Sequence, residues 1–396
     1  MSFDIALSGI NAVTSDLDSI SNNIANAGTY GYKSNRVNFA SMYAGTQATG
    51  AEAASSTQSI DVGGSVLTTG RGMDASIQGR GFFVSRDNAG AVTFSRVGIF
   101  SVDKTGYVVD GSGGRVQGFG VLPNSTTLGA MGDIQVPTGQ IAAAATSTMS
   151  YVGNLSADWT VPAVAPFDPA NAQTFNSSML TPVYDSLGVQ HTVTQYFVKS
   201  ATNQVTVHYA IDGTVAATPP TVIDFGANGQ IVAPAAPVAL ALGTPAGANA
   251  LAINLDYTGT TQFAGEATTT ANSANGYASG TLTGVQIDDS GAVMASYSNG
   301  EKQRVGTIAV ATFPDEGSLQ SVSGTSWTTT NASGTPLYFA PGSGMAGSLS
   351  AGTLEQSNVD ITEQLVNLMA AQRNYQANSK VISTESQMIQ SLMQAI

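Results

Sequence analysis

Histidine is the usual general base near neutral pH, and this chain of 396 residues has only two. Nucleophilic catalysis needs such a base beside the nucleophile, yet both histidines lie in strand-like runs, His191 in GVQHTV and His208 in QVTVHYAI. His208 alternates with Val207 and Tyr209, so we expect it to face away from that apolar row, toward solvent or a polar cap. The sequence therefore predicts no catalytic histidine.

Three short motifs match catalytic patterns, but their contexts do not. Ser101 and Lys104 have S-x-x-K spacing and overlap a K-T-G inside one turn, whereas serine β-lactamases need these motifs on separate elements. Residues 342–347 fit G-x-G-x-x-G without a preceding strand or a following long helix. Asp288 and Asp289 are adjacent in a strand-like run, so they point to opposite faces. We predict no enzymatic activity, no cofactor and no metal site.

The composition restricts the classes of partner. Charged residues make up 10% of the chain, and 13 Lys and Arg against 26 Asp and Glu give a net charge of −13. That charge disfavours nucleic acid and anionic lipid. The chain has no cysteine, so its stability must come from packing and hydrogen bonds.

Two segments of the sequence bear on membrane insertion and on targeting. The amino terminus lacks the basic and unbroken apolar regions of a cleavable signal, since Asp4, Asn11 and Asp16 interrupt it. The longest uncharged run, residues 231–255, contains prolines and glycines that would break a helix. We predict strands with turns there, and no membrane insertion.

Both ends of the chain have the heptad spacing of helices that pair along a narrow seam. The first helix should stop near Gly28, and Asp360 followed by Glu363 has the pattern of a capping box that begins the second. The predicted assembly-interface residues are Phe3, Leu7, Ile10, Leu17, Ile24, Ile361, Leu365, Leu368, Tyr375, Ile382, Ile389 and Ile396.

A seam between two helices leaves other apolar residues of both helices without a partner. We expect the helices to pair as an antiparallel coiled coil and neighbouring copies to cover the remainder, in head-to-tail contacts that generate a helical polymer. The alternative is that both are ordinary core helices with a wider apolar face.

Between the helices the apolar residues alternate with period two, separated by turn clusters at residues 87–90, 103–106 and 110–114 and by a hairpin signal at Asn299 and Gly300. This predicts a mainly β multidomain protein whose antiparallel barrel-like or sandwich-like domains are discontinuous and nested. The predicted domains are a helical domain (1–30 and 358–396), an extended connector (31–70 and 341–357), an inner β domain (71–145 and 276–340) and an outer β domain (146–275).

Two end segments resemble signatures of the bacterial flagellar rod and hook protein family. They are NNIANAGTYGYKSNRVNF, from Asn22 to Phe39, and LEQSNVDITEQLVNLMAAQRNYQANSKVI near the carboxy terminus. Between them, GRGFFVS, SRVGIFSVDKTGYVVD, VYDSLG and YSNGEKQRVGTIAVATF resemble hook members in order and spacing. The matching signature residues are Asn26, Thr29, Gly31, Lys33, Asn358, Val359, Asp360, Gln372, Arg373, Tyr375, Gln376, Ala377 and Asn378.

The resemblance implies a structural subunit that is exported unfolded through the flagellar type III apparatus, without signal cleavage. It would polymerise outside the cell into the curved, flexible hook, a universal joint that transmits motor torque from rod to filament. In that family the terminal helices line the inner tube and the β domains form outer layers. The implied partners are further copies, the distal rod, the hook cap and the hook–filament junction proteins.

Two alternatives to a hook subunit stay open at this stage. A distal rod subunit shares both end signatures but is typically shorter and lacks an additional outer domain, so residues 146–275 favour the hook. A secreted β-rich adhesin or enzyme belongs to a different class, and would need a cleavable signal or a convergent catalytic set.

Overall fold

The computed structural model describes residues 2–121, 127–323 and 325–395, and it is mainly β with one long helix at each end. The helices are α1 (Ser2–Ala25) and α2 (Ile361–Ala395). The Asp360 carboxylate accepts hydrogen bonds from the Thr362 and Glu363 amides at 2.8 and 3.2 Å, which caps α2 as the sequence predicts. Ile396 lies outside the described residues.

The strands before Leu155 are β1 (Asn35–Ala44), β2 (Gln47–Gln58), β3 (Val66–Thr68), β4 (Ala75–Gln78), β5 (Phe82–Arg86), β6 (Val92–Ser95), β7 (Phe100–Val102), β8 (Val108–Asp110), β9 (Arg115–Val121), β10 (Leu128–Asp133) and β11 (Thr148–Asn154). Those up to Ala274 are β12 (Ser177–Tyr184), β13 (Gln190–Ala201), β14 (Gln204–Ile211), β15 (Thr214–Val215), β16 (Thr221–Phe225), β17 (Ile231–Ala233), β18 (Val238–Ala241), β19 (Ala252–Asp256) and β20 (Thr268–Ala274). The last are β21 (Leu282–Ile287), β22 (Ala292–Tyr297), β23 (Lys302–Ile308), β24 (Val310–Thr312), β25 (Gln320–Ser323), β26 (Ser326–Thr328), β27 (Leu337–Phe339), β28 (Ser348–Ala351) and β29 (Thr353–Glu355).

The chain divides into two compact units. Unit 1 consists of Met1–Thr138, Gly284–Ala295 and Lys302–Ile396, and unit 2 of Gly139–Thr283 and Ser296–Glu301. Both units are therefore discontinuous, and the mainly β fold class with terminal helices is confirmed. The finer division into four domains stays a prediction.

Residues 31–70 differ from the extended connector that the sequence predicts. They contain a long antiparallel hairpin in which β1 pairs with β2 from Asn35 opposite Gln58 to Ala44 opposite Gln47. The sequence does not reveal the hairpin because β2 has no large apolar residue and therefore no apolar period, although β1 has Val37, Phe39 and Tyr43 at alternate positions.

Unit 1 is built on one large sheet whose central order is β23-β9-β5-β6-β26-β25. Phe82, Phe94 and Phe313 pack edge to face with centroid distances of 4.8 to 5.9 Å, and the fully buried Trp327 lies 5.5 Å from Phe82. These aromatic rings form the centre of the core of unit 1.

Unit 2 contains two sheets, β18-β19-β11-β20 and β12-β13-β14-β16-β17, whose inner faces share one apolar core. Asn272 on β20 accepts a hydrogen bond from the Thr181 hydroxyl at 2.7 Å and donates one to the Leu180 carbonyl at 2.9 Å. The side chain of Asn272 thus joins β20, at the edge of one sheet, to β12, at the edge of the other.

The uncharged run 231–255 forms strands, as predicted: β17, β18 and most of β19. Within the described residues, neither helix combines the length and the apolar character needed to cross a bilayer.

The same five-residue turn, Asp-x-x-Gly-x, connects strands at five places. In each turn one carboxylate oxygen accepts the amide protons two and four residues later at 2.8 to 2.9 Å, and the glycine has φ between +77° and +89°. The turns begin at Asp87, Asp103, Asp110, Asp185 and Asp288. Three of them are the turn clusters predicted between residues 87 and 114.

Candidate assembly interface

The terminal helices pair antiparallel, as predicted. The Asn23 amide of α1 donates to Gln364 Oε1 of α2 at 3.1 Å, and a Cβ placed on Gly9 would lie 2.9 Å from Asn378 Nδ2. Fourteen residues along α1 (23 − 9) correspond to fourteen back along α2 (378 − 364). The seam between the helices thus has a constant register.

The α1 row that faces α2 consists of Gly9, Asp16 and Asn23, spaced by seven residues. The sequence pointed instead to Ile10, Leu17 and Ile24, which lie one position later and therefore about 100° further around the helix. Those three side chains are half-buried, while Phe3 and Leu7, from the same predicted set, are 42% and 43% exposed. Small and polar residues of α1 thus form the closest contacts with α2, at Gly9 and Asn23, and the role of the apolar row in the seam stays a prediction.

On α2 only part of the predicted row is covered on the side that faces α1. Leu368 and Ile382 are half-buried, and Ala371, between the seam residues Gln364 and Asn378, is 2% exposed. Other predicted residues of α2 are largely uncovered in the single chain. They are Ile361 (51% exposed), Leu365 (47%), Tyr375 (41%) and Ile389 (53%).

The end of α2 extends beyond α1, because α2 has 35 residues and α1 has 24. The numbers of residues that lie opposite each other in the two helices sum to 387, as those of Gly9 and Asn378 do. Ser2, the first residue of α1, therefore lies opposite Glu385. We call residues 386–395 the apolar overhang. Its large side chains are Met388 (63% exposed), Ile389 (53%), Leu392 (64%) and Met393 (72%).

A buried group of charges, the junction cluster, lies where the helices join the β part of unit 1. It consists of Lys33, Arg96 and Glu355, each at most 3% exposed. Lys33 Nζ lies 2.7 Å from one Glu355 carboxylate oxygen, and Arg96 Nη1 lies 3.4 Å from the other. Burial lowers the pKa of Lys33, whereas the charge and hydrogen bond of Glu355 raise it. One carboxylate therefore holds two buried cations.

Backbone groups complete the junction cluster. Lys33 Nζ also donates to the Val62 carbonyl at 2.7 Å, and the Gly64 amide donates to Glu355 Oε1 at 3.0 Å. Gly31, whose amide donates to the Glu355 carbonyl at 2.9 Å, has φ +67°, and a Cβ there would lie 2.9 Å from Val97 Cγ2. Glycine at position 31 therefore lets the backbone adopt a left-handed conformation in close contact with Val97.

Two asparagines tie the helix ends to the same junction. Asn23 Oδ1 accepts the Tyr32 hydroxyl at 3.2 Å and the Asn35 amide at 2.8 Å. Asn358 accepts the Ser34 amide at 2.8 Å and donates to the Ser59 carbonyl at 2.9 Å. The chain segments that leave α1 and enter α2 are thus fixed to each other and to the end of β2.

The signature residues serve several different structural roles. Lys33, Gly31 and Asn358 meet at the junction, and Asp360 caps α2. Asn26 accepts the Thr29 hydroxyl at 3.1 Å in the turn after α1. Gln372 and Arg373 are exposed on α2, and Asn378 packs against Gly9.

Sequence reasoning missed Glu355, Arg96 and Asn23. The opposite charges of Lys33 and Glu355 are a sequence signal for an ion pair. The two residues are 322 positions apart, however, so the sequence does not show that they are partners.

Asp288, Asp289 and His208, which belong to residue types common in catalytic sites, have structural roles in this chain. Asp288 forms one of the Asp-x-x-Gly turns, while Asp289 accepts the Ala351 amide at 2.9 Å. His208 does face away from the buried Val207 and Tyr209, and it is half-buried, with its ring stacked on Phe167 at a centroid distance of 4.1 Å. In the part of the chain that the structure describes, no three acidic, histidine or cysteine side chains are grouped to hold a metal ion.

Four family models match the chain, each over a separate stretch or with a short overlap. They are the flagellar basal body rod protein model (residues 3–33), the flagellar hook protein FlgE/F/G D1 domain (76–157), the flagellar basal body protein FlaE D2 domain (154–277) and the flagellar basal body rod FlgEFG protein C-terminal model (350–395).

Curated relatives match over nearly their whole length. The flagellar hook protein FlgE of Escherichia coli is 37% identical, with 99% of each chain covered, and that of Treponema pallidum is 33% identical, with 98% and 97% covered. Among solved structures, the Helicobacter pylori flagellar hook protein FlgE2 has a TM-score of 0.55, with 73% of this chain and 100% of that chain covered at 14% identity. The last likeness supports the fold.

Proposed function

The chain belongs to the flagellar hook protein family, and from this premise we propose that it polymerises through the exposed apolar side chains of α2. It is a structural subunit of the bacterial flagellar hook. The single observation that carries the polymerisation proposal is the apolar overhang, which the register of the two helices leaves without an α1 counterpart.

The overhang has both the surface and the charge of an interface between copies. Burying each of its large side chains would contribute about 1.5 to 3 kcal/mol. The stretch SQMIQSLMQA, residues 386–395, contains no charged residue, so copies of a chain with net charge −13 would meet there without local repulsion. Further along α2, Val366, Met369 and Val381 are 56%, 52% and 46% exposed and would extend the same contact.

The predicted interface residues have two roles in this proposal. Leu368 and Ile382 support the pairing of α2 with α1, while Ile361, Leu365, Tyr375 and Ile389 are open to neighbouring copies. Phe3 and Leu7 would provide the complementary apolar surface on α1. Ile396 is assigned to the interface by its spacing alone.

The finer features of the hook belong to the proposal as well. We place the assembled chain outside the cell, exported through the type III apparatus. Its neighbours there are the distal rod, the hook cap and the junction proteins. A chain with only 10% charged residues suits outer domains that slide over one another, because few strong ion pairs must break as the hook rotates. The match of residues 154–277 to the D2 domain model favours a hook subunit over a distal rod subunit.

A complementation experiment tests the interface. Cells that lack the chain should form a rod but neither hook nor filament, and the wild-type chain should restore swimming. We expect Met388→Gln combined with Leu392→Gln to abolish hook assembly while the purified chain unfolds at an unchanged temperature, because both side chains are exposed in the single chain. Gln387→Ala with Ser391→Ala, which changes exposed polar neighbours, is the matched control.

Each outcome has a distinct meaning. Normal hooks from the Met388 and Leu392 variant would refute the overhang as an interface. Normal swimming of the strain that lacks the chain would show that this chain does not build the hook.

A polar residue at Leu17, Ile24, Leu368 or Ile382 should also weaken polymerisation while the β regions stay folded.

A further inference from the structure

His191 lies between two carboxylates that belong to different turns of unit 2. Its Nδ1 atom is 2.7 Å from Asp212 Oδ2, and its Nε2 atom is 3.5 Å from Asp185 Oδ2. Asp185 begins the turn that joins β12 to β13, and Asp212 lies in the turn that joins β14 to β15. One imidazole ring therefore contacts both turns.

Both carboxylates are held in place by backbone hydrogen bonds as well. Asp185 Oδ1 accepts the amides of Leu187 and Val189, each at 2.9 Å. Asp212 Oδ1 accepts the Thr192 amide at 2.9 Å, and Asp212 itself has φ +49°, a left-handed conformation uncommon for a non-glycine residue. The carboxylates are thus oriented before the imidazole meets them.

The number of ring protons decides how many carboxylates the imidazole can bind. The imidazolium has two N–H donors, whereas neutral imidazole has one donor and one acceptor. A neutral ring facing two carboxylates would present a lone pair to one of them. The geometry with a carboxylate at each nitrogen therefore favours the protonated ring.

We propose that His191 is a pH-dependent clasp that, as the imidazolium, joins the Asp185 turn to the Asp212 turn and releases one of them on losing its proton. The charged groups that act on the ring are these two aspartates, and its partner on the neighbouring strand β12, Val183, is apolar. The clasp would fix a turn whose tip, Leu187, is 62% exposed. The presentation of this apolar tip would then depend on pH.

The direction of the pH effect follows from the same contacts. The hydrogen bond to Asp212 raises the pKa of His191, burial opposes it, and Asp185 raises it further. A group whose folded pKa is raised stabilises the fold fully below its unfolded value of about 6.5, and this stabilisation is lost as pH rises through the folded value. The contribution of His191 to the stability of unit 2 should therefore be largest in mildly acidic solution.

The second histidine provides an internal reference. His208 stacks on Phe167 and is half-buried, and burial lowers its pKa. Because the chain has only these two histidines, ring signals in a proton NMR titration of the full-length protein can be assigned with one variant, His208→Gln. We expect His191 to titrate above about 6.5 and His208 below it. A His191 midpoint at or below that value overturns the proposal.

Stability measurements test the clasp independently. His191→Gln should lower the melting temperature of unit 2 by a few degrees at pH 5.5 and have a much smaller effect at pH 8.5. Asp212→Asn should shift the His191 midpoint downward, because it removes the nearer carboxylate. His208→Gln must not show the same pH dependence. A loss of stability that is equal at both pH values would overturn the clasp, and the titration of the wild-type chain decides the question if the variant does not fold.

Discussion

At the scale of single residues, Glu355 holds the junction together. It is the carboxylate that contacts both Lys33 and Arg96, and all three side chains are buried. Removing one member of a buried ion pair leaves an uncompensated charge, at a cost of about 3 to 5 kcal/mol. The cost should therefore depend on how many charges each substitution leaves without a partner.

We expect Glu355→Gln to destabilise unit 1 more than Lys33→Met, because the first leaves two buried cations and the second leaves the Glu355–Arg96 pair intact. The loss should be about 3 kcal/mol or more for Glu355→Gln. Chemical denaturation of the variants in a Trp159→Phe background measures it through the fluorescence of Trp327, which is buried in the core of unit 1.

The control is Arg86→Met, which removes a pair with Asp133 in which Arg86 is 44% exposed. An exposed pair of this kind contributes less than about 1 kcal/mol. Equal losses for Glu355→Gln and Lys33→Met would contradict the central place of Glu355.

At the scale of elements, the Asp-x-x-Gly turns set the register of the hairpins. The turn at Asp110 contains three glycines, and two of them, Gly111 and Gly113, differ in backbone conformation. A Cβ on Gly111 or on Gly113 would meet no atom within 4 Å, but only Gly113 has positive φ, at +85°. Substituting Gly111 and Gly113 separately by alanine therefore measures the cost of backbone strain without any steric conflict.

We expect Gly113→Ala to destabilise unit 1 by about 1 to 2 kcal/mol, because an L side chain in the left-handed region is strained. Gly111→Ala should be neutral or slightly stabilising, since alanine reduces the entropy of the unfolded chain. Thermal unfolding of the two variants measures the difference. Equal effects would mean that the turn relaxes to another backbone conformation.

At the scale of the whole molecule, each of the two units has its own core. The unit 2 core is formed by residues between Met149 and Tyr257, and the unit 1 core by residues between Ile60 and Trp327 that lie outside unit 2. The chain has two tryptophans, Trp159 in unit 2 and Trp327 in unit 1. Each unit therefore has its own fluorescent reporter.

We expect residues 139–283 to fold alone, because this continuous part of unit 2 contains every residue of the unit 2 core. Their unfolding midpoint in urea should equal that reported by Trp159 in the full chain with Trp327→Phe. The converse variant, Trp159→Phe, reports on unit 1 through Trp327 and serves as the control. A fragment without a cooperative transition would show that unit 2 depends on the rest of the chain.

The sequence by itself determined what depends on neighbouring residues. The Asp360 cap, the stop of α1 before Gly28, the turns at residues 87–114 and the hairpin at Asn299 are all local, and the period of two or of seven predicted strand or helix correctly. The end signatures were readable for the same reason, since each is contained in a short stretch of chain. The antiparallel pairing of the helices also followed from the pattern.

The tertiary structure alone decided which faces meet. The seam of α1 runs through Gly9, Asp16 and Asn23, where small and polar side chains allow close approach and give no hydrophobic signal. The junction cluster joins Lys33 to Glu355 across 322 residues, and charges in a sequence do not reveal their partners. Burial and long-range contact depend on how the whole chain packs, so no local pattern could specify them.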